Sequence, residues 1–164
     1  MWNSTRFFFL ILISIGIHLT AFAQEEITKI KILSKDSDVI ITGKVIDKES
    51  SWNESKSRIY TKTTVQVDEY LKGTNAEQSV EIRTPGGEVG DVGELYSHMP
   101  RFENEEEVLV FLRKDDKIKE YRVQNGEEGK ITIISDSKSK EKVTSINISV
   151  KDLKSQIKTY LKEQ

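Results

Sequence analysis

Residues 38–48 read DVIITGKVIDK and residues 58–71 read RIYTKTTVQVDEYL, and these two stretches decide the fold class. In the second stretch, β-branched or apolar side chains alternate with polar ones from Ile59 to Leu71. Strict alternation of this kind is typical of a strand with one buried face, as in antiparallel sheets. The two stretches therefore predict a pair of long strands near the start of the domain.

The rest of the chain extends this pattern. After residue 23 there are 27 Ile and Val residues against seven Leu. β-branched side chains are stiff and suit a pleated, half-buried surface better than a helix. Further strands are predicted around residues 80–84, 106–113, 118–124 and 130–135.

A helix is predicted at each end of this β-rich region. Within Gln24–Ser34, apolar residues fall three apart, as on one face of a short helix. Near residues 149–163, a start that resembles a capping box precedes apolar residues at helical spacing. We therefore predict a mainly β fold, an antiparallel OB-like β-barrel or compact sandwich, with a short N-terminal helix and a C-terminal amphipathic helix.

The first 23 residues have the features of a secretory signal peptide. Arg6 precedes the apolar run Phe7–Ile17, and residues 21–23 read AFA, a small-x-small cleavage pattern. An uncleaved anchor is the alternative, since Phe7–Ala23, interrupted by His18 and Thr20, has 17 residues, the lower limit for spanning a bilayer. We therefore predict a secreted or periplasmic protein in which residues 24–164 form a single domain. The protein would contact a membrane only through an uncleaved signal segment.

Charge and composition exclude several classes of partner. The formal net charge is −2 at pH 7, so the basic surface that nucleic acid requires is not expected. The chain has no cysteine, and His98 is the only histidine after the signal segment, so neither a zinc site nor a cofactor is predicted. The expected partner is an unknown protein or glycan in the cell envelope or outside the cell.

No catalytic motif is visible. A nucleophile and base would have to combine His98 with a serine such as Ser97, but adjacent residues on a strand point to opposite faces. The G-x-S-x-G pattern of a nucleophile elbow does not occur in the sequence. We therefore predict a protein that is not an enzyme and has no catalytic residues.

Candidate binding residues come from a glycine-rich loop and from the aromatic residues. The loop is predicted over Pro85–Pro100, and its structural interpretation is a bulged crossover at a barrel corner. A tryptophan within the polar stretch Lys48–Ser57 could instead cap the core. With both alternatives open, the candidate binding residues are Trp52, Tyr60, Gly86, Gly87, Tyr96 and His98.

Taken together and in this order, several short segments resemble a family of small exported bacterial proteins of unassigned function. The resemblance spans residues 38–134 and implies no catalytic or ligand residues. The segments that carry it are Gly43-Lys44-Val45, Trp52, Ile59-Tyr60-Thr61, Leu71-Lys72-Gly73, Thr84-Pro85-Gly86-Gly87, Pro100-Arg101-Phe102 and residues 107–112, EVLVFL.

A second resemblance concerns the opening of the domain. A short helix, the segment DVIITGKV and the later LKG are similar to the start of netrin-like and metalloproteinase-inhibitor domains, which are OB-type barrels. Those inhibitors coordinate the metal of their target through a disulfide-tethered N-terminal cysteine, which this chain does not have. We predict an exported, non-catalytic binding module of unknown ligand. An inhibitor or regulator of an extracellular protease is the alternative, and a hydrolase with an unrecognised site is the third.

Overall fold

About half of the residues that the structure describes lie in β-strands. The chain divides into two compact units, Met1–Ile32 and Leu33–Gln164. The predicted signal peptide, residues 1–23, lies outside the described residues. The computed structural model describes residues 27–73, 77–115, 120–135 and 141–163.

The described residues form two α-helices, a 3₁₀ turn and nine strands, and they confirm the mainly β prediction. Helix α1 covers residues 27–36, and helix α2 covers Val150–Lys162. The 3₁₀ turn is Gly126–Gly129. The strands are β1 (Val39–Trp52), β2 (Ile59–Lys72), β3 (Ser79–Pro85), β4 (Gly87–Val89), β5 (Val92–Glu94), β6 (Glu107–Asp115), β7 (Glu120–Val123), β8 (Lys130–Ser135) and β9 (Lys142–Thr144).

Five strands close into a ring, in the order β1, β2, β3, β7, β6 and back to β1. An OB-like barrel likewise has five strands. The neighbours are antiparallel, as predicted, except that β3 and β7 run parallel and pair at Ile82 and Tyr121. The parallel pair is the correction to an all-antiparallel barrel. It arises because β7 returns along β6, which itself lies antiparallel to β1.

Strand β6 holds the ring together because it has partners on both edges. One edge pairs with β1, and the other pairs with β7 near its end and with β8 along Glu107–Val110. Val108, Val110 and Leu112 belong to the barrel core, which also contains Val45, Val65, Val80 and Ile82. The alternate residues Leu109 and Phe111 are fully buried as well, so both faces of β6 are covered.

Helix α2 is capped and tied to the sheet. The Ser149 hydroxyl accepts a hydrogen bond from the Asp152 amide at 3.1 Å, which is the capping interaction that the sequence predicts. Lys154 and Lys158 each contact a carboxylate oxygen of Glu69 on β2, at 2.9 and 2.8 Å. Two lysines of the polar face of the helix therefore hold it against the barrel.

Two local expectations were wrong. The predicted loop Lys48–Ser57 begins too early, because β1 continues to Trp52 and pairs with Ile59 there. Within the predicted loop Pro85–Pro100, residues Gly87–Val89 and Val92–Glu94 instead form the two-stranded sheet β4–β5. The first error has a physical cause, since polar residues on a strand that faces a groove look like loop residues in the sequence.

Candidate functional site

A groove of about 620 Å³ opens at one end of the barrel. Its floor comes from the inner faces of three strands, and one wall comes from the chain between β5 and β6. We call that chain the wall segment, Glu94–Glu103. The floor consists of Lys48, Ser50, Thr61, Thr63 and Thr84, and Gly86, Gly87, Leu95, Tyr96 and Met99 are among the other lining residues.

A bulge in β1 explains why the floor is polar. The pairing of β1 with β2 shifts between Val45 and Asp47, so Ile46 is an extra residue and is 48% exposed. A bulge changes which side chains face inward. Beyond it, Lys48 and Ser50 pair across from the inward-facing threonines of β2, and hydroxyl groups replace the valines of the core.

The hydroxyl groups of the floor hold the start of the glycine-rich segment. Thr61 donates to the carbonyl oxygen of Gly86 at 2.7 Å, and Ser50 therefore donates to the Thr61 oxygen at 2.9 Å. A Cβ atom on Gly87 would lie 2.4 Å from both the Ser50 and the Thr61 hydroxyl oxygen. Glycine is required here both by this close approach and by its φ of 134°.

A carboxylate organises the next part of the groove. Glu94 accepts a hydrogen bond from the Ile59 amide and another from the Tyr96 hydroxyl, both at 3.1 Å. Burial, followed by the hydrogen bond to Glu94, raises the pKa of the Tyr96 phenol. Tyr96 is therefore held in one position as a neutral donor on the wall of the groove.

Thr63 is the least expected member of the floor. It is fully buried, and its hydroxyl has no hydrogen-bond partner among the described residues. Buried polar groups are nearly always hydrogen-bonded in folded proteins, so this one keeps an unused donor and acceptor at the groove. The sequence did contain a sign of this polar floor, because Thr61 and Thr63 lie on the otherwise apolar face of the predicted strand. Threonine is common in all strands, so the sign is not specific.

The wall segment is braced from beneath by a partly buried ion pair. The Lys130 ammonium lies 2.6 Å from the Glu106 carboxylate, and each side chain is only 13% exposed. Lys130 also donates to the Arg101 carbonyl oxygen and lies 5.1 Å from the centre of the Phe102 ring. From the other side, Lys48 donates to the Phe102 carbonyl oxygen at 2.7 Å. The wall is therefore preorganised.

The Glu106 carboxylate makes stability depend on pH. Burial by itself favours its neutral form, but hydrogen bonds from Lys130, Thr132 and the Glu103 amide outweigh burial and lower its pKa. Hydrogen bonds from Lys158 and Lys154 lower the pKa of Glu69 as well. Groups with a lowered pKa stabilise the fold above their unfolded pKa, about 4.3, and this stability is lost as the pH falls through the folded pKa.

We expect the free energy of unfolding to decrease as the pH is lowered from about 5 through the unfolded pKa of glutamate and below it. Glu106→Gln should make this decrease smaller, and Glu69→Gln should remove a separate part of it. Urea titrations at a series of pH values measure the effect. Parallel pH profiles for the original protein and both variants would contradict it.

The structure brings together only part of the predicted site. Gly86, Gly87 and Tyr96 line the groove, whereas His98 lines an adjoining hollow of about 470 Å³. Trp52 is the last residue of β1, and Tyr60 lies under the Arg83 guanidinium at 4.0 Å. Neither of these two is among the residues that line the groove. Sequence reasoning missed all the polar residues of the floor and also the Glu94 carboxylate; the floor residues are Lys48, Ser50, Thr61, Thr63 and Thr84.

His98 lies at the surface beside one carboxylate. Its imidazole is 86% exposed and lies 3.4 Å from the Glu127 carboxylate. Its backbone carbonyl accepts a hydrogen bond from the Glu127 amide, which fixes the chain at a positive φ. Within the described residues, no cluster of three or more histidines and carboxylates could hold a metal ion.

Comparison with known proteins adds no family. No protein-family model matches the chain, and no curated protein matches it. Among the described residues, no helix is long and apolar enough to cross a membrane.

Proposed function

We propose that the protein is an exported, non-catalytic binding protein whose ligand occupies the groove at the end of the barrel. The observation that carries this proposal is the braced wall segment, which presents apolar side chains to solvent. Leu95 is 73% exposed and Met99 is 37% exposed, and both line the groove. Exposed apolar side chains clustered beside a groove are typical of a binding surface.

The floor and the wall support the same proposal in different ways. The floor offers hydroxyl groups and the wall segment offers the Glu94 carboxylate, and both can orient a ligand through hydrogen bonds. The wall is held by Lys130, Glu106 and Lys48, so little conformational entropy is lost when a ligand binds. Secretion or a periplasmic location is part of the proposal and has its support in the apolar N-terminal segment.

The test is affinity capture from the culture fluid or cell envelope of the host, using the full-length gene so that the protein is exported before it is purified. The double variant Leu95→Asp, Met99→Asp places two charges on the exposed part of the wall segment, which we call the rim of the groove. We refer to it as the rim variant. Ile134→Asp is the matched control, because Ile134 is 50% exposed on β8 and does not line the groove. We expect the rim variant to lose the captured ligand and the control to keep it.

Equal capture by both variants would overturn the groove as the binding site. A captured protease that the protein inhibits would establish the regulatory alternative, with the same rim dependence. A hydrolytic activity that disappears with His98→Ala would overturn the non-catalytic proposal.

A further inference from the structure

We propose that the ligand binds as an extended peptide that adds a strand to the open edge of β1, Asp47–Trp52. This inference rests on the proposed function and names the chemical class of the ligand. It comes from the backbone of β1, whose side chains Lys48 and Ser50 belong to the floor of the groove.

Strand β1 uses its two edges over different lengths. One edge pairs with β2 from Ile40 to Trp52. The other pairs with β6 only from Val39 to Lys44, and two further hydrogen bonds join Val45 to the chain just before β6. Among the described residues, the segment Asp47–Trp52 has no strand partner on this second edge.

The hairpin fixes which backbone groups point outward. The Asn53 amide donates to the Arg58 carbonyl oxygen at 2.9 Å, so that pair faces inward between β1 and β2. Residues alternate along an antiparallel strand, and the next outward-facing residues are therefore Trp52, Ser50 and Lys48. Their amide and carbonyl groups point away from β2 and are spaced as in a strand edge, so another strand could form hydrogen bonds with them.

This row lies beside the groove. Lys48 and Ser50 line it with their side chains while their backbones form the open edge. Leu95 and Met99 of the wall segment line the same groove. At Val45, the chain just before β6 pairs with this edge of β1. A bound peptide would continue that pairing along residues 47–52, and every second side chain of the peptide would enter the groove. Addition of a strand to an open edge is a general mode of peptide recognition.

The wall segment favours a single peptide over a second sheet. It is anchored to β1 through the hydrogen bond that Lys48 donates to the Phe102 carbonyl oxygen at 2.7 Å. Another copy of the chain would have to bring a whole sheet edge into this space, whereas one extended segment needs only the width of a strand. Its main-chain groups would match the open edge without a specific side chain at every position.

The experiment uses the exported full-length protein and a phage-displayed library of random dodecapeptides. Selected peptides are synthesised with N-methyl groups on either the odd or the even residues. We expect one of the two sets to bind about tenfold more weakly, since two or more interstrand hydrogen bonds are lost, and the other set to bind like the unmethylated peptide. The rim variant Leu95→Asp, Met99→Asp should lose the same peptides.

A variant of the protein tests the same hydrogen bonds from the other side. Ser50→Pro removes the outward amide, and Ser50→Ala is its matched control, because both substitutions remove the hydroxyl. We expect Ser50→Pro to bind more weakly than Ser50→Ala. If Ser50→Pro does not fold, the methylated peptides alone decide the question.

Equal effects of the two methylation patterns would overturn strand addition. So would a concentration-dependent dimer that Ser50→Pro abolishes, because the edge would then be taken by a second copy. If the library gives no binder while rim-dependent capture succeeds, the peptide inference fails and the proposed function stands. If rim dependence fails as well, both are overturned.

Discussion

Replacing Gly43 with alanine should destabilise the barrel by about 3 kcal/mol, because the added methyl group would overlap the neighbouring strand. Gly43 lies on β1 where both edges of the strand are paired, opposite Val67 on β2 and Val108 on β6. A Cβ atom there would lie 2.2 Å from the Gln66 carbonyl oxygen and 2.8 Å from Val65 Cγ1. The oxygen belongs to the backbone of the neighbouring strand, so β1 and β2 would have to separate.

Gly93→Ala is the matched control. Gly93 is on β5, and a Cβ atom there would lie 3.4 Å from Glu88 Cγ, which belongs to a flexible side chain. We expect its free energy of unfolding to remain within about 0.5 kcal/mol of the original protein. Urea denaturation followed by circular dichroism measures both variants. Similar values for the two alanines would show that the close approach at Gly43 relaxes easily.

Lys130→Met should have a comparable effect, for an electrostatic reason. Methionine keeps most of the apolar stem but removes the ammonium group that contacts Glu106, Arg101 and the Phe102 ring. The Glu106 carboxylate, only 13% exposed, then loses its counterion. Removal of one partner from a buried ion pair leaves an uncompensated charge, and we expect a loss of about 3 kcal/mol.

The control is an exposed ion pair with the same substitution. Lys62 lies 3.1 Å from Glu81, and both side chains are more than 40% exposed. Exposed pairs of this kind contribute little, so Lys62→Met should leave stability nearly unchanged. Lys130→Met should also weaken ligand capture, because the wall segment loses its brace. A stable Lys130→Met protein that captures its ligand normally would contradict this role of Lys130.

Strand β2 shows what the sequence alone could predict. Its predicted range, Arg58–Leu71, differs from the observed Ile59–Lys72 by one residue at each end. The reason is that both faces of β2 keep one character along its whole length, so local pattern and tertiary environment agree. The same agreement made the β-rich barrel and the C-terminal helix predictable.

Strand β1 shows where prediction failed. The bulge at Ile46 reverses the inward and outward faces, and an alternation that changes phase reads as the end of a strand. The polar residues after the bulge therefore appeared to form a loop that contained Trp52. Register shifts depend on pairing with a neighbour, which a single sequence does not display.

The candidate site was predictable only where glycine or an aromatic ring marked it. Gly86 and Gly87 have φ values of 96° and 134°, which side chains other than glycine rarely adopt, and this constraint made the segment visible. Thr63 and Glu94 were missed because threonine and glutamate are common on strands. Their roles arise from distant partners across the groove.

The double pairing of β1 also affects how the protein is made. The β1–β2 hairpin can form as soon as residue 72 has been synthesised, but the other edge of β1 must wait for β6. At about 5–20 residues per second, that delay lasts several seconds. Throughout it, Ile40 and Ile41, which end up fully buried, lie on an unpaired edge open to other chains. The newly made hairpin therefore exposes a strand edge and apolar side chains until β6 has been made.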